Sequence, residues 1–365
     1  MIKVSCSPHF HSKQSTASIM YLVIAALCPS LIWGIISFGM RALLVVAVSI
    51  AASVLAEYLL GLVSKENTLS DGTAILTGLL VGMNMSASVP IAIPVIASFF
   101  AIAVVKWTFG GLGCNWMNPA LGGRVFVFFS FSSAMSKFDL PKQLASLAST
   151  VTSATSSASV DAVTTATTLS FAKTAISSGE AIGMNSLQYL ESQNYPVTQF
   201  ALNLSEKLGI NAYTIDAFFG NMSGCIGETS SLLLLAGGIL LICKKVITWH
   251  IPVVYLTSYA ILNWIFGGIP YGTGAFSGLL IDPLFRGGLM LGAFFMATDY
   301  VTSPITYKGQ VIFAFGCGFF TFLFRSFGSL AEAVSLAIIL MNIVTPTIDR
   351  FVKPRKFGYV KEATK

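Results

Sequence analysis

The chain has 365 residues, of which 55% are hydrophobic and only 10% charged, with a mean hydropathy of +0.78. Soluble domains run near a quarter charged, so this composition excludes an ordinary globular protein and describes a polytopic membrane protein embedded in a lipid bilayer. A net charge of +6 does not argue for nucleic-acid binding, because the basic residues gather at loop ends and in the tail, where membrane topology uses them.

Apolar runs predict helices over 18–38, 42–63, 73–84, 91–108 and 119–132, then, beyond a polar insert, over 229–248, 251–267, 273–297 (interrupted), 309–324 and 329–348. The first run is long enough to span, and we read it as a retained helix and not a cleaved signal. The expected fold is therefore an all-α polytopic membrane protein of about ten transmembrane helices. Its parts are an N-terminal five-helix repeat (1–132), an extracytoplasmic insert (133–228), a C-terminal five-helix repeat (229–348) and a basic cytoplasmic tail (349–365).

Several runs are short or broken, at Asn84-Met-Ser, Gly110-Gly-Leu-Gly-Cys-Asn, Gly267-Gly-Ile-Pro and Asp282-Pro283. Irregular backbone at membrane depth is tolerated only against protein or a wet cavity, so these breaks point to an internal site. Gly72-Thr73-x-x-x-Thr77-Gly78-Leu79-Leu80 recurs as Gly272-Thr273-x-x-x-Ser277-Gly278-Leu279-Leu280, and Asn118-Pro119 pairs more weakly with Ser303-Pro304. With five helices in each half, such repeats are inverted. Cytoplasmic termini put thirteen Lys/Arg inside and six outside, with Arg124 and Arg286 inside spans. That bias places the insert outside.

The insert is not uniform. Between Ser146 and Ser170, 14 of 25 residues are Ser or Thr, too many to bury much surface. Ile182–Phe219 has helix-like apolar spacing in Leu187, Tyr189, Leu190, Phe200, Leu202, Leu204 and Leu208, which suggests amphipathic segments lying on the membrane part.

Within the Ser/Thr-rich stretch, Asp161-x-x-Thr164-x-Ala166-Thr167 resembles the D-x-x-[S/T]-G-A-T pattern to which a flavin transferase attaches FMN through a phosphoester on the last threonine. Asp161 is the only carboxylate between Asp139 and Glu180. Thr165 stands where the pattern has glycine, and Thr168 follows the proposed acceptor, so Thr167 and Thr168 both remain acceptors. The competing reading is a plain polar linker.

Among intramembrane charges, Arg124 either contacts a flavin or pairs with a carboxylate. Asp71 is expected to N-cap a half-helix, the competing role being an ion or flavin contact, and Asp282 and Arg286, at i and i+4, are expected to pair with each other. Glu228 suits a helix N-terminus, Glu57 and Glu332 fit snorkelling or helix pairing, and Asp299 is a cap or a contact at the second break. No catalytic or metal-ligating set is expected: the six cysteines lack metal spacing, and His9, His11 and His250 lie near cytoplasmic ends.

Taken with Ser7-Pro8-His9, Ser70-Asp71-Gly72-Thr73-Ala74, Gly113-x-Asn115-x-x-Asn118-Pro119-Ala120-x-x-Gly123-Arg124, Gly224-x-x-Gly227-Glu228-Thr229-Ser230, Phe295-Met296-Ala297-Thr298-Asp299 and Met341-Asn342, the chain resembles the RnfD family of membrane proteins. These belong to the Rnf complex, the ion-translocating ferredoxin:NAD oxidoreductase. The chain is also similar to the NqrB component of the sodium-translocating NADH:quinone reductase. The resemblance implies a urea/ammonium-transporter-like fold of two inverted five-helix repeats and FMN bound covalently to Thr167 within the Asp161, Thr164, Ala166 motif; from their place at the start of the fifth span, Asn118 and Arg124 are candidate cofactor contacts. It also implies riboflavin held without a covalent bond, partner subunits in a membrane complex of the bacterial inner membrane, and electron transfer between ferredoxin and NAD coupled to Na+ or H+ movement. The alternatives are a channel or carrier for a small solute, without redox work, and a structural scaffold.

Overall fold

A computed structural model describes residues 15–65, 68–145, 167–193, 195–328 and 333–354. Every regular element among them is helical. Four helices are long and apolar enough to cross a membrane: α1 (Thr16–Phe38), α2 (Met40–Ser64), α14 (Tyr307–Ser326) and α15 (Val334–Phe351). Their flanks expose Ile32, Ile36, Leu43, Leu44, Leu55, Leu59, Ile312 and Phe315, the apolar belt that lipid, unlike water, does not penalise. The protein is multi-pass.

Between these lie apolar helices of 9–17 residues: α3 (Thr73–Met83), α4 (Ala92–Phe100), α5 (Pro119–Ser130), α11 (Ser231–Cys243) and α12 (His250–Phe266). At about 1.5 Å per residue, the 11 residues of α3 cover roughly half of a hydrocarbon layer about 30 Å thick. α3 ends inside the protein, at buried Asn84. Two of the continuations are π-helical, Ala101–Trp107 after α4 and Gly292–Met296 after the single turn α13 (Leu289–Leu291). π segments insert an extra residue per turn and recur at functional sites.

Small residues let these helices approach closely. A Cβ on Gly78 of α3 would stand 2.6 Å from Ile50 Cα and 2.8 Å from Ser49 O of α2, and one on Gly237 of α11 would stand 2.5 Å from Ala26 O of α1. Backbone cannot yield at such distances. We expect Gly78→Leu to abolish recovery of monodisperse protein in fluorescence-detected size exclusion, because overpacking already costs about 1–3 kcal/mol where side chains can shift. Unchanged recovery would mean that α2 and α3 are not in contact.

The expected run over 273–297 differs most. Residues 268–281 turn back without a helix; helical turns resume only at Asp282–Phe285 and Leu289–Met296. The cause is local. Asn263 Nδ2 donates to Leu279 O at 2.6 Å and Phe276 N donates to Ile265 O at 2.8 Å, folding the segment over the end of α12. Thus Gly72–Leu80 contains a helix start while Gly272–Leu280 does not, although their sequences match.

In the insert, the described helices are α6 (Ser132–Met135), α7 (Thr168–Ser178), α8 (Ser186–Ser192), α9 (Gln199–Leu208) and α10 (Ala212–Phe219). The insert is held by specific bonds, Lys173 Nζ to the carbonyls of Phe324 and Arg325 of α14 (3.1 and 3.0 Å), and, on the broken segment after α12, Gly183 N to Tyr271 O (2.7 Å) and the Thr214 hydroxyl to Asp282 (2.9 Å). The apolar spacing is only partly used. Leu187, Tyr189 and Leu190 of α8 are buried, whereas Phe200, Leu202 and Leu208 of α9 are exposed, because α9 seats its Ala201 side. Asp216 holds the turn before α9, accepting from Thr198 N at 2.9 Å and the Thr198 hydroxyl at 2.5 Å; burial raises its pKa above the usual carboxylate range.

Candidate functional site

Three polar regions stand out in an otherwise apolar interior. The first surrounds Thr167. Asp161, Thr164 and Ala166 lie outside the described residues, but Thr167 is the N-cap of α7. Its Oγ1 accepts from Ser170 N at 3.2 Å and donates to Ser170 Oγ at 3.0 Å. Capping explains why the chain turns helical here, since a threonine oxygen satisfies an otherwise free first-turn amide.

Thr167 and Thr168 are 4% and 3% exposed. They face a small cavity of about 20 Å³ with Ser223, Glu228, Phe285 and Arg286. An adjoining cavity of about 70 Å³ shares Thr168, Leu169 and Arg286 and adds Lys173, Tyr259, Tyr271 and Arg325. The Asp282–Arg286 pair expected from spacing forms at 2.8 Å, fully buried. Lys173 and Arg325, 152 residues apart in sequence, meet here. Burial first, and then the charge of Arg325, lower the Lys173 pKa to about 8. Sequence offered no signal for this convergence, and Arg325 reads there as an outer loop-end charge.

The second region is the core around Arg124. Its Nη1 donates to Asn84 Oδ1 at 2.8 Å and Ser335 Oγ at 2.9 Å and lies 3.4 Å from Glu228 Oε1. The carboxylate-pairing role weighed for Arg124 is therefore realised. Asn84 is the C-cap of α3; its Nδ2 donates to Leu80 O at 2.7 Å, which leaves Oδ1 for Arg124. Glu228 does not cap α11; Ser230 does, accepting from Leu233 N. Glu228 instead faces the Thr167 cavity, both carboxylate oxygens buried without a hydrogen bond.

The third region is a cavity of about 330 Å³ lined by Thr73, Leu76, Lys106, Asn115, Asn118, Phe294, Phe295, Asp299 and Tyr300. Both π segments contribute walls, through Lys106 and through Phe294 and Phe295. Asn118 N-caps α5, accepting from Ala120 N (3.0 Å) and Leu121 N (3.4 Å), while its Nδ2 donates to Met296 O at 3.2 Å. Asn118→Ala is expected to cost about 1 kcal/mol for the lost cap, read as a lower midpoint in thermal unfolding; no shift would assign the cap elsewhere.

Two sequence readings need correction, and a third is resolved. Asp71 is not the N-cap of α3: it closes a 3₁₀ turn, and Gly72, with no side chain to offer, holds the cap position. Of the two roles expected for Glu57, snorkelling or helix pairing, the structure shows pairing. Glu57 is 1% exposed and takes both oxygens to Lys106 Nζ at 2.6 and 2.7 Å. Lys106, read as a cytoplasmic loop-end charge, is likewise buried. Glu332, His9 and His11 lie outside the described residues, and His250 stacks between Trp249 and Tyr307.

Membrane-length helices, helices stopped at half that length, and a helical insert seated over buried polar cavities define a multi-pass membrane protein with an internal site. The chain belongs to the NQR2, RnfD, RnfE family, whose model matches residues 3–358. It is 42% identical to the D subunit of the proton-translocating ferredoxin:NAD(+) oxidoreductase complex of Clostridium ljungdahlii, over 97% of this chain and 96% of the relative. It is 40% identical to the D subunit of the Na(+)-translocating ferredoxin:NAD(+) oxidoreductase complex of Acetobacterium woodii, over 99% and 96%. The corresponding D subunit of the ion-translocating oxidoreductase complex of Stutzerimonas stutzeri is 35% identical, over 95% and 93%.

Proposed function

We propose that this chain is a membrane subunit of an ion-translocating oxidoreductase complex, relaying electrons between ferredoxin and NAD through FMN attached covalently to Thr167. Near-equal identity to one relative named for protons and one named for sodium gives no preference between H+ and Na+. The chain is a part of an enzyme, working with other subunits of the complex in the bacterial inner membrane. When bound, FMN supplies the one-electron carriage that amino-acid side chains here lack.

The observation that carries this reading is the place of Thr167. The last residue of the Asp161–Thr167 motif sits at a helix N-terminus beside buried Arg286, where amide N–H groups and the helix dipole favour a phosphate. An N-cap oxygen can remain an acceptor for Ser170 N after esterification, which favours Thr167 over its helical neighbour Thr168. The ten-helix arrangement in two inverted repeats, with termini inside and the insert outside, belongs to the same proposal. Its support is the pair of π segments in the two halves and the packing of α1 on α11 and α5 on α15.

Riboflavin without a covalent bond fits the 330 Å³ cavity: apolar and aromatic walls suit a neutral ring system, and a few amides and hydroxyls suit its edges. Asn118 is a wall of that cavity and a candidate contact. Arg124 lines neither cavity and acts through Glu228.

Peptide mapping of protein made with an active flavin transferase tests the assignment. An FMN mass on the Thr167 peptide, together with riboflavin released by acid precipitation, is the expected pair of results. An unmodified peptide, with the transferase active on another substrate, removes the redox reading and favours the solute channel.

Burial adds a consequence for maturation. At 4% exposure, the Thr167 hydroxyl cannot enter another enzyme's active site while α7 is seated, so attachment requires local undocking. A synthetic peptide of residues 155–175 is expected to be flavinylated at least about tenfold faster than the folded, unmodified protein, tenfold corresponding to about 1.4 kcal/mol of opening. Equal rates would show that α7 is not seated before modification.

A further inference from the structure

Arg286 is 5% exposed, gives Nη2 to Asp282 Oδ1 at 2.8 Å, and keeps Nε buried without a partner. That same Asp282 oxygen also accepts from the Thr214 hydroxyl at 2.9 Å. Arg325 gives its Nη atoms to the carbonyls of Pro283, Arg286 and Gly287, and Lys173 gives Nζ to those of Phe324 and Arg325; Arg325 Nε is also buried without a partner, but Arg325 lines the adjoining cavity and not the one Thr167 faces. Of the carboxylates nearby, Glu228 is shared with Arg124 and Asp216 is taken by Thr198 and Asn221. Across the two adjoining cavities Arg286, Arg325 and Lys173 outnumber Glu228 and Asp282, and a buried guanidinium donor left unpaired is costly.

The second half of the geometry is α7. Its 11 residues begin directly after Thr167, and Arg286 lines the cavity into which Thr167 faces. An anion at this point meets first-turn amides on one side and a guanidinium edge on the other.

We infer that Arg286 is the positioning residue that holds the phosphate esterified to Thr167, with its Nε and the first-turn amides of α7 as that anion's donors. The inference rests on the FMN attachment proposed above and adds which side chain fixes the anchored end. A phosphate esterified at both ends retains one negative charge and two free oxygens, which a planar guanidinium can grip while its other edge stays on Asp282. Lysine keeps the charge at this position but not the second donor edge. The ring itself is oriented only indirectly by this contact, through the fixed end of its chain.

The test uses full-length protein carrying its flavin, labelled with 15N-arginine and held in a phosphate-free amphipol, with 31P–15N dipolar recoupling as the readout. The phosphodiester signal is expected to dephase on arginine nitrogen in the wild-type chain. Arg286→Lys should abolish that dephasing while intact mass still shows the FMN adduct on the Thr167 peptide. Should Arg286→Lys fail to fold, Arg325→Lys serves instead, and dephasing that survives it keeps the assignment on Arg286. Dephasing lost in Arg325→Lys, retained in Arg286→Lys, or absent from wild-type protein that bears the adduct overturns the inference and leaves the flavin attachment standing. Absence of the adduct itself overturns both.

Discussion

Thr167→Ala is expected to reduce covalent FMN to background and, with it, electron flow from reduced ferredoxin to NAD in the assembled complex, while Thr168→Ala retains both. The contrast is large because attachment is all or none: without the acceptor oxygen no phosphoester forms. The structural cost of the substitution is small by comparison. Thr167 caps α7 through Ser170 N, and losing such a cap costs about 1 kcal/mol, which loosens one helix of a docked insert. Thr167→Ser separates the two effects, because serine keeps both the cap and a hydroxyl. Full flavin on Thr167→Ala, with none on Thr168→Ala, would shift the acceptor one residue on. The attachment would then lie in the first turn of α7, with Thr167 serving only as its cap.

Much of the fold was legible before any coordinates, for physical reasons. The helix start at Pro119, where the run was expected to begin, follows the cap residue Asn118, whose side chain satisfies first-turn amides, and such signals are local. Broken helices were visible because glycine, proline and asparagine interrupt apolar runs. Segment 268–281 misled for a different reason: its matching residues carry helix-compatible side chains, yet Asn263, ten or more residues away, captures Leu279 O. Side-chain capture across a turn has no sequence period.

The motif around Thr167 was readable as a pattern, but its surroundings were not. Arg286 was tied by i, i+4 spacing to Asp282, which is local; that the pair lies against α7 depends on the docking of the insert. Arg325 and Lys106 looked like charges at loop ends because hydropathy cannot distinguish a side chain that leaves a helix end for water from one that turns inward. Lys106 turns inward because the π-helical stretch Ala101–Trp107 rotates the end of α4 towards α2 and α3.

The Glu57–Lys106 pair carries the other large expected effect. Glu57 on α2 takes both oxygens to Lys106 and accepts from the Thr68 hydroxyl at 2.5 Å, while Lys106 also donates to Thr73 at the start of α3 at 2.9 Å. With exposures of 1% and 3%, neither charge reaches water when its partner is removed. Lys106→Met or Glu57→Gln alone should therefore cost roughly 3–5 kcal/mol, the penalty of an uncompensated buried charge, seen as a collapse of the thermal midpoint or of folded yield. The double variant should recover most of that loss, because no charge remains to be solvated, and the cycle isolates the coupling of the two. The pair also has a position: Lys106 lines the 330 Å³ cavity, and Glu57, with Lys65 and Thr68, lines another of about 340 Å³. It is the partition between them. A single variant costing less than about 1 kcal/mol, the range of solvated ion pairs, would mean that water reaches the pair from one of the two cavities.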